Sequence, residues 1–337
     1  MFKRIIVPLD GSKGAEQAIP TAARITRASK GSIIFVSVVL PPVEFGTYKE
    51  DRTVALKPTA FEKRLTGATD YLTDIVNAHE SDLAGIDVVV KVVSGAASPA
   101  IFSAVNMEHG DLIVMCSHEE SGLKRWMFGS VALEAVRHSP VPVLVLNEHS
   151  VIPTQTEANR PLHILVVLDG SALAETAIEP AAQLVSVLAA PAHGALHLLR
   201  VVDIPTATGK YRGPTEFDVT VRSQASQEAE AYLKDVTDRF HASLAGFNLT
   251  VTSSAVVGTD VVETILQQAE QADGSEKMSP SDLIAMTTHG HTGLLRLIMG
   301  NVTEKILNST KHPLLVVRHH DTKTQGQQES KAKTSAD

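Results

Sequence analysis

"IIVPLDGS" occupies residues 5–12, and "ILVVLDGS" occupies residues 164–171, 159 positions further on. In both, a short apolar run closes on Asp-Gly-Ser, the pattern of a buried strand that ends in a turn. Two more pairs follow the same logic. "DLIVMCSH" (111–118) returns as "DLIAMTTH" (282–289), and "PVLVL" (142–146) returns as "PLLVV" (313–317), both at an offset of 171. The offset grows by 12 residues between the first pair and the later ones, so the second copy carries insertions. The polar stretch "EQADGSEKMSPS" (270–281) is one place for them. A period of this length is that of a domain, not of a solenoid whose units run to roughly 20–50 residues. We therefore expect a first copy over 1–148, a linker over 149–160 and a second copy over 161–319. Residues 320–337 lack any apolar period and are expected to be a disordered tail.

Within each copy, strand-like and helix-like segments alternate. In the first, "RIIVPL" is followed by Ala15, Ala18, Ile19, Ala22 and Ile25, which share one helical face. "SIIFVSVVL" is a second strand, and Leu65, Ala68, Leu72, Ile75 and Val76 mark a second helix. "IDVVVKVV", a short helix over Pro99 to Met107 opened near Ser98, "DLIVM", a helix over 130–138 and "PVLVL" complete the copy. The second copy repeats this, with Ala225, Ala229, Tyr232, Leu233, Val236 and Phe240 on its long helix. Nearly continuous apolar strands alternating with helices imply a parallel sheet covered on both faces. The expected fold is α/β: two tandem doubly wound, five-stranded, Rossmann-like sheets. In such sheets a crevice opens beyond the carboxyl ends of the strands where their order reverses. If strands one and four flank that reversal, the Asp-Gly-Ser turn faces the loop after strand four. The fifth strands are apolar and end the sheet, and an edge of that kind invites pairing.

Composition narrows the function. The 337 residues are 43% hydrophobic and 20% charged, which suits a soluble globular chain of two domains, and aromatics at 4% leave an aliphatic core. A formal net charge of −8 does not suggest the broad basic surface of a nucleic-acid binder. No apolar run approaches the roughly 18 residues of a membrane span. The opening "MFKRIIVPLDGS" runs straight into a strand without a signal region, so the cytoplasm is the default location. One cysteine, Cys116, rules out an internal disulfide framework.

Two groups of residues carry the chemistry of the crevice. Asp169 ends the first strand of the second copy; its carboxylate can accept hydrogen bonds from sugar hydroxyls or an amino group. The alternative is that Asp169 or Ser171 caps the next helix. Across the crevice, "MTTHGHTGLLRLIMGN" (286–301) sets nine residues between Gly290 and Gly300. Glycine allows close backbone approach, and Gly300 precedes a helix start whose free N–H groups suit phosphate oxygens. The competing reading is structural, because Asn301 followed by Glu304 has the spacing of a capping box. The first copy keeps Gly129-Ser130 in "MCSHEESGLKRWMFGS" (115–130) but has Glu119 opposite Gly290. A carboxylate beside a triphosphate is repulsive by about 1 kcal/mol or more at contact even in water. The P-loop pattern G-x-x-x-x-G-K-[ST], G-x-G-x-x-G after a strand and G-x-S-x-G are absent. His289 and His291 form an H-x-H, but no Cys pair or nearby His pair completes a metal site. Cys116 reads as an inert buried thiol rather than a redox centre.

On the first-strand Asp, "GSVALEAVRHSPVPVLVL" and "GNVTEKILNSTKHPLLVV", the chain resembles a tandem universal stress protein over residues 1–319. Nucleotide-binding members of that family carry Gly-x-x-Gly, nine residues, then Gly-Ser or Gly-Thr. The second copy has Thr287 for the first glycine, keeps Gly290 and Gly300, and has Asn301 in the Ser/Thr place. The first has Cys116 and Glu119 in the first two glycine places and retains Gly129-Ser130. The resemblance implies adenosine against Asp169, Val201 and Met286, with phosphates at Gly290, Gly300, Asn301 and Val302. Asp10, Val38, Gly129 and Ser130 are the degenerate equivalents in the first copy. It further implies ATP or a related adenine nucleotide as ligand, Mg²⁺ arriving with the phosphates, and a stress-linked regulatory role without a catalytic centre. A nucleotide-free interaction scaffold and a slow ATPase are the alternatives. The family pairs its fifth strands across a two-fold axis, which a tandem chain can do within itself, with a further homodimer left open.

Overall fold

The structure, a computed structural model, describes residues 2–41, 58–117, 129–147, 152–153, 160–203, 216–270, 280–288 and 299–318. The Asp-Gly-Ser stretches quoted above close two short strands, β1 (Arg4–Pro8) and β6 (Leu162–Leu168). The remaining strands of the first half are β2 (Ser32–Val39), β3 (Asp87–Ser94), β4 (Leu112–Ser117) and β5 (Val143–Asn147). Those of the second half are β7 (Gly194–Asp203), β8 (Leu249–Gly258), β9 (Leu283–Thr287) and β10 (Leu314–Val317). All ten form one sheet in the order β3-β2-β1-β4-β5-β10-β9-β6-β7-β8.

Within each half every pairing is parallel. β1 lies between β2 and β4, and β6 lies between β7 and β9, so the order reverses at the first and fourth strands of each half. The halves join through the fifth strands: β10 runs antiparallel to β5, with Leu314 opposite Val145, Leu315 opposite Leu144 and Val316 opposite Val143. The two halves are therefore doubly wound parallel sheets paired about a pseudo-two-fold axis, as expected from the repeats and the apolar last strands.

Strands such as β4 and β9 are apolar at nearly every position because helices cover both faces. On one face, Ile19, Ala22, Ile25, Leu72 and Ile75 pack with Ile178, Leu184, Val185, Leu233 and Val236 in a cluster that runs through both halves. The helices Ala18–Ser29 and Ile178–Ala189 meet there across the axis. On the other face, Ile101, Val105, Ala135 and Val136 join Ile265, Ile306 and Leu307. The first helical face splits into Lys13–Glu16 and Ala18–Ser29, and all five positions chosen from the spacing are buried. The helix expected from Pro99 starts earlier, at Ala97, with no side-chain cap.

Polar ties reinforce the join. Arg24 donates to the carbonyls of Ile152, Pro153 and Leu188. Asn147 Nδ2 donates to Thr310 O at 3.2 Å, and Arg318 donates to His138 O at 3.1 Å. The expected tail lies outside the described residues, as does most of the expected linker.

Candidate functional site

Each half builds the same turn at the carboxyl end of its first strand. Gly11 and Gly170 sit at φ +89° and +91°, a conformation that favours glycine. The turn brings the serine amide back to the aspartate: Ser12 N donates to Asp10 Oδ1, and Ser171 N to Asp169 Oδ1, both at 2.9 Å. Ser171 Oγ also donates to Asp169 Oδ1 at 2.6 Å. The serines, not the aspartates, cap the next helix, since Ser12 Oγ and Ser171 Oγ accept from Ala15 N and Ala174 N at 3.1 Å. Serine does the capping and aspartate holds the serine. Asp10 is exposed and Asp169 half-buried, so both carboxylates reach the rim of the crevice.

Opposite this turn, the fourth strand leads to a helix start. In the second half Gly300 is the N-cap of the helix Asn301–Leu307. Gly300 N donates to Thr288 O at 2.9 Å, and Thr303 Oγ1 donates to Thr287 O at 2.9 Å, which fastens the helix to the end of β9. The capping box weighed as the competing reading for Asn301 and Glu304 does not form. The helix begins one residue earlier than that motif needs, so Asn301 is already helical and Glu304 N donates to Gly300 O instead. Val201, Met286 and Val302 pack in one apolar cluster with Met299 beside this helix start. Gly290 lies outside the described residues, as do His289, His291 and Glu119.

The first half contains a cavity of about 200 Å³ at the corresponding place. Asp10, Val38, Gly129 and Ser130 line it together, with Ile101, Met115 and Cys116 in its wall. Gly129 is the N-cap of the helix Ser130–His138, and a Cβ there would meet nothing within 4 Å. Among the described residues of the lining, Asp10 carries the one charged side chain. Cys116 is buried, as expected, but forms part of the cavity wall.

Several residues of the site were not singled out in the sequence. Tyr71 and Tyr232 stand behind the two turns, their hydroxyls buried and without a hydrogen bond of good geometry. Burial first, then the neighbouring Glu16 carboxylate, pushes the Tyr71 pKa up to about 12. Burial and then Glu175 push that of Tyr232 further in the same direction. Glu16 and Glu175 are themselves buried, and Arg239 holds Glu175 through two bonds of 2.9 Å. Glu16 and Glu175 recur at the same offset as Asp10 and Asp169, so a comparison of the copies beyond the strands would have found them. Arg200 in β7 has no such signal, because the first half has no arginine at its place. Among the described residues no group of three or more His, Cys, Asp or Glu is arranged to hold a metal ion.

The chain is thus a tandem α/β protein of two doubly wound sheets, each with an aspartate turn facing a glycine-capped helix across the strand-order reversal. Comparison with known proteins agrees. The model of the universal stress protein family matches residues 1–147 and again 162–318. A universal stress protein of Mycobacterium tuberculosis (strain ATCC 25618 / H37Rv) is 27% identical over 326 residues, covering 93% of this chain and 96% of the relative. One from Mycobacterium bovis is 24% identical over 332 residues, with the same coverage of both. The crystal structure of a universal stress protein from Archaeoglobus fulgidus aligns with TM-score 0.64 at 18% identity, over 94% of this chain and 98% of that one. The chain belongs to the universal stress protein family. No helix among the described residues is long and apolar enough to cross a membrane.

Proposed function

We propose that the second half binds ATP or a related adenine nucleotide and that the chain is a non-catalytic regulator in a stress response. The observation that carries this reading is the opposition of Asp169 to the Gly300–Val302 helix start across the reversal between β6 and β9. Asp169 supplies acceptors for ribose hydroxyls. The Gly300 amide is spent on Thr288 O, so the donors left for phosphate oxygens are the first-turn amides of Asn301 and Val302. Val201 and Met286 give the base an apolar wall. The described residues offer no carboxylate cage, so Mg²⁺ would come with the phosphates. Equilibrium dialysis with labelled ATP tests the reading: binding that is lost in Asp169→Ala supports it, and no binding at millimolar ATP removes it.

A second reading has an observation of its own. The first-half cavity gathers Asp10, Val38, Gly129 and Ser130, the residues treated as degenerate equivalents, so the first half is itself a candidate for the ligand. Binding that survives Asp169→Ala and disappears with Asp10→Ala would place the nucleotide there.

A further inference from the structure

Among the described residues, Arg200 is a cation with no hydrogen-bond acceptor for its donors. It lies in β7, in register with Leu168 of β6, and is half-buried. Its guanidinium stacks on the ring of Tyr232, 4.8 Å from the ring centre. It also presses on the Asp169 turn: a Cβ added at Gly170 would stand 3.0 Å from Nη2 and 3.1 Å from Cζ. Among the described residues no carboxylate or carbonyl accepts a hydrogen bond from it. Glu175, which like Arg200 neighbours Tyr232, is already held by Arg239 on both oxygens. Stacking uses the face of a guanidinium and fixes its plane, while the fork of edge donors stays available for a planar or tetrahedral anion. The residue at this register in the first half is Ser37, which is buried and uncharged.

A ribose with free hydroxyls needs only the carboxylate of Asp169. A ribose carrying a phosphate would meet repulsion from that carboxylate unless a cation stood beside it, and Arg200 stands at the next residue of the turn. Doubly wound sheets divide these tasks by residue type, with a carboxylate for a free ribose hydroxyl and an arginine for a ribose phosphate. Here both types sit at one turn. We infer, resting on the nucleotide reading above, that Arg200 selects an adenine nucleotide phosphorylated on its ribose over one with free ribose hydroxyls.

Isothermal titration of the full chain with adenosine 5′-monophosphate, adenosine 2′,5′-bisphosphate and adenosine 3′,5′-bisphosphate tests this. One of the bisphosphates is expected to bind about tenfold or more tighter than the monophosphate. In Arg200→Ser that ratio falls to near one, and Arg200→Lys, which keeps the charge but not the fork, falls between. Equal binding of all three ligands by the unaltered chain overturns the inference while leaving the nucleotide reading in place. A preference that persists in Arg200→Ser overturns it as well. Binding of none of them overturns it too, and the nucleotide reading is then decided separately by the dialysis with ATP. Should Arg200→Ser fail to fold, the drop in Arg200→Lys carries the test.

Discussion

Asp282 shows how one residue type serves the two halves differently. Its carboxylate is 4% exposed and takes Arg160 through two bonds of 2.8 and 2.6 Å. It also accepts from His163 N at 2.8 Å. Asp111, its counterpart, accepts from the backbone amides of Lys3 and Arg4 at 2.6 and 3.0 Å in a more exposed setting. Removing one partner of a buried pair leaves the other charge uncompensated, so Asp282→Ala should cost about 3 kcal/mol. Asp111→Ala should cost about 1 kcal/mol, the net worth of ordinary hydrogen bonds. Urea denaturation of the two variants checks the contrast; equal losses would show that the Arg160 pair adds nothing. Both aspartates are visible in the repeat "DLIVM" and "DLIAM". The arginine that makes one of them matter more is 122 positions away, and no local pattern points to it.

At the scale of elements, the last strand is entered through a titratable turn. His312 precedes β10; its amide donates to Thr310 Oγ1 at 3.0 Å, and Thr310 O receives Asn147 from the other half. Burial lowers the His312 pKa below its ordinary value of 6.5, and Glu270 and Asp282 offset this only in part. The folded chain thus holds His312 neutral where the unfolded chain would already bind a proton. The contribution is fully present above the ordinary value and is lost as pH falls through it toward the lowered one. The urea midpoint should therefore drop between about pH 7 and about pH 5, and drop less in His312→Gln. An identical drop in both proteins would assign it to other groups. The elements themselves were legible, because apolar runs and helical spacing report burial directly, as Leu72, Ile75, Leu233 and Val236 show. The helix opens at Asn301, as its sequence indicates, but the alternative of a capping box between Asn301 and Glu304 fails. Asn followed by Glu satisfies the capping spacing, but the glycine before it is fixed by Thr288, a contact between segments that spacing does not encode. The cavity was not legible either: its wall combines ends of three strands with residues of three helices, and only the fold brings them together.

Over the whole molecule, the sheet is continuous through three residue pairs between β5 and β10. Without its partner, β5 would present an unpaired, wholly buried-type strand to solvent, and such an edge finds another. A fragment of residues 1–147 is therefore expected to form a homodimer through β5, measured by sedimentation; a stable monomer would count against the seam as the main join. The antiparallel sense of that seam has a geometric result. Strands of the two halves point in opposite directions, so their carboxyl ends, and the crevices beyond them, look away from each other. The two mouths stand back to back, so no single small molecule would reach both, and an occupant of one would not collide with an occupant of the other.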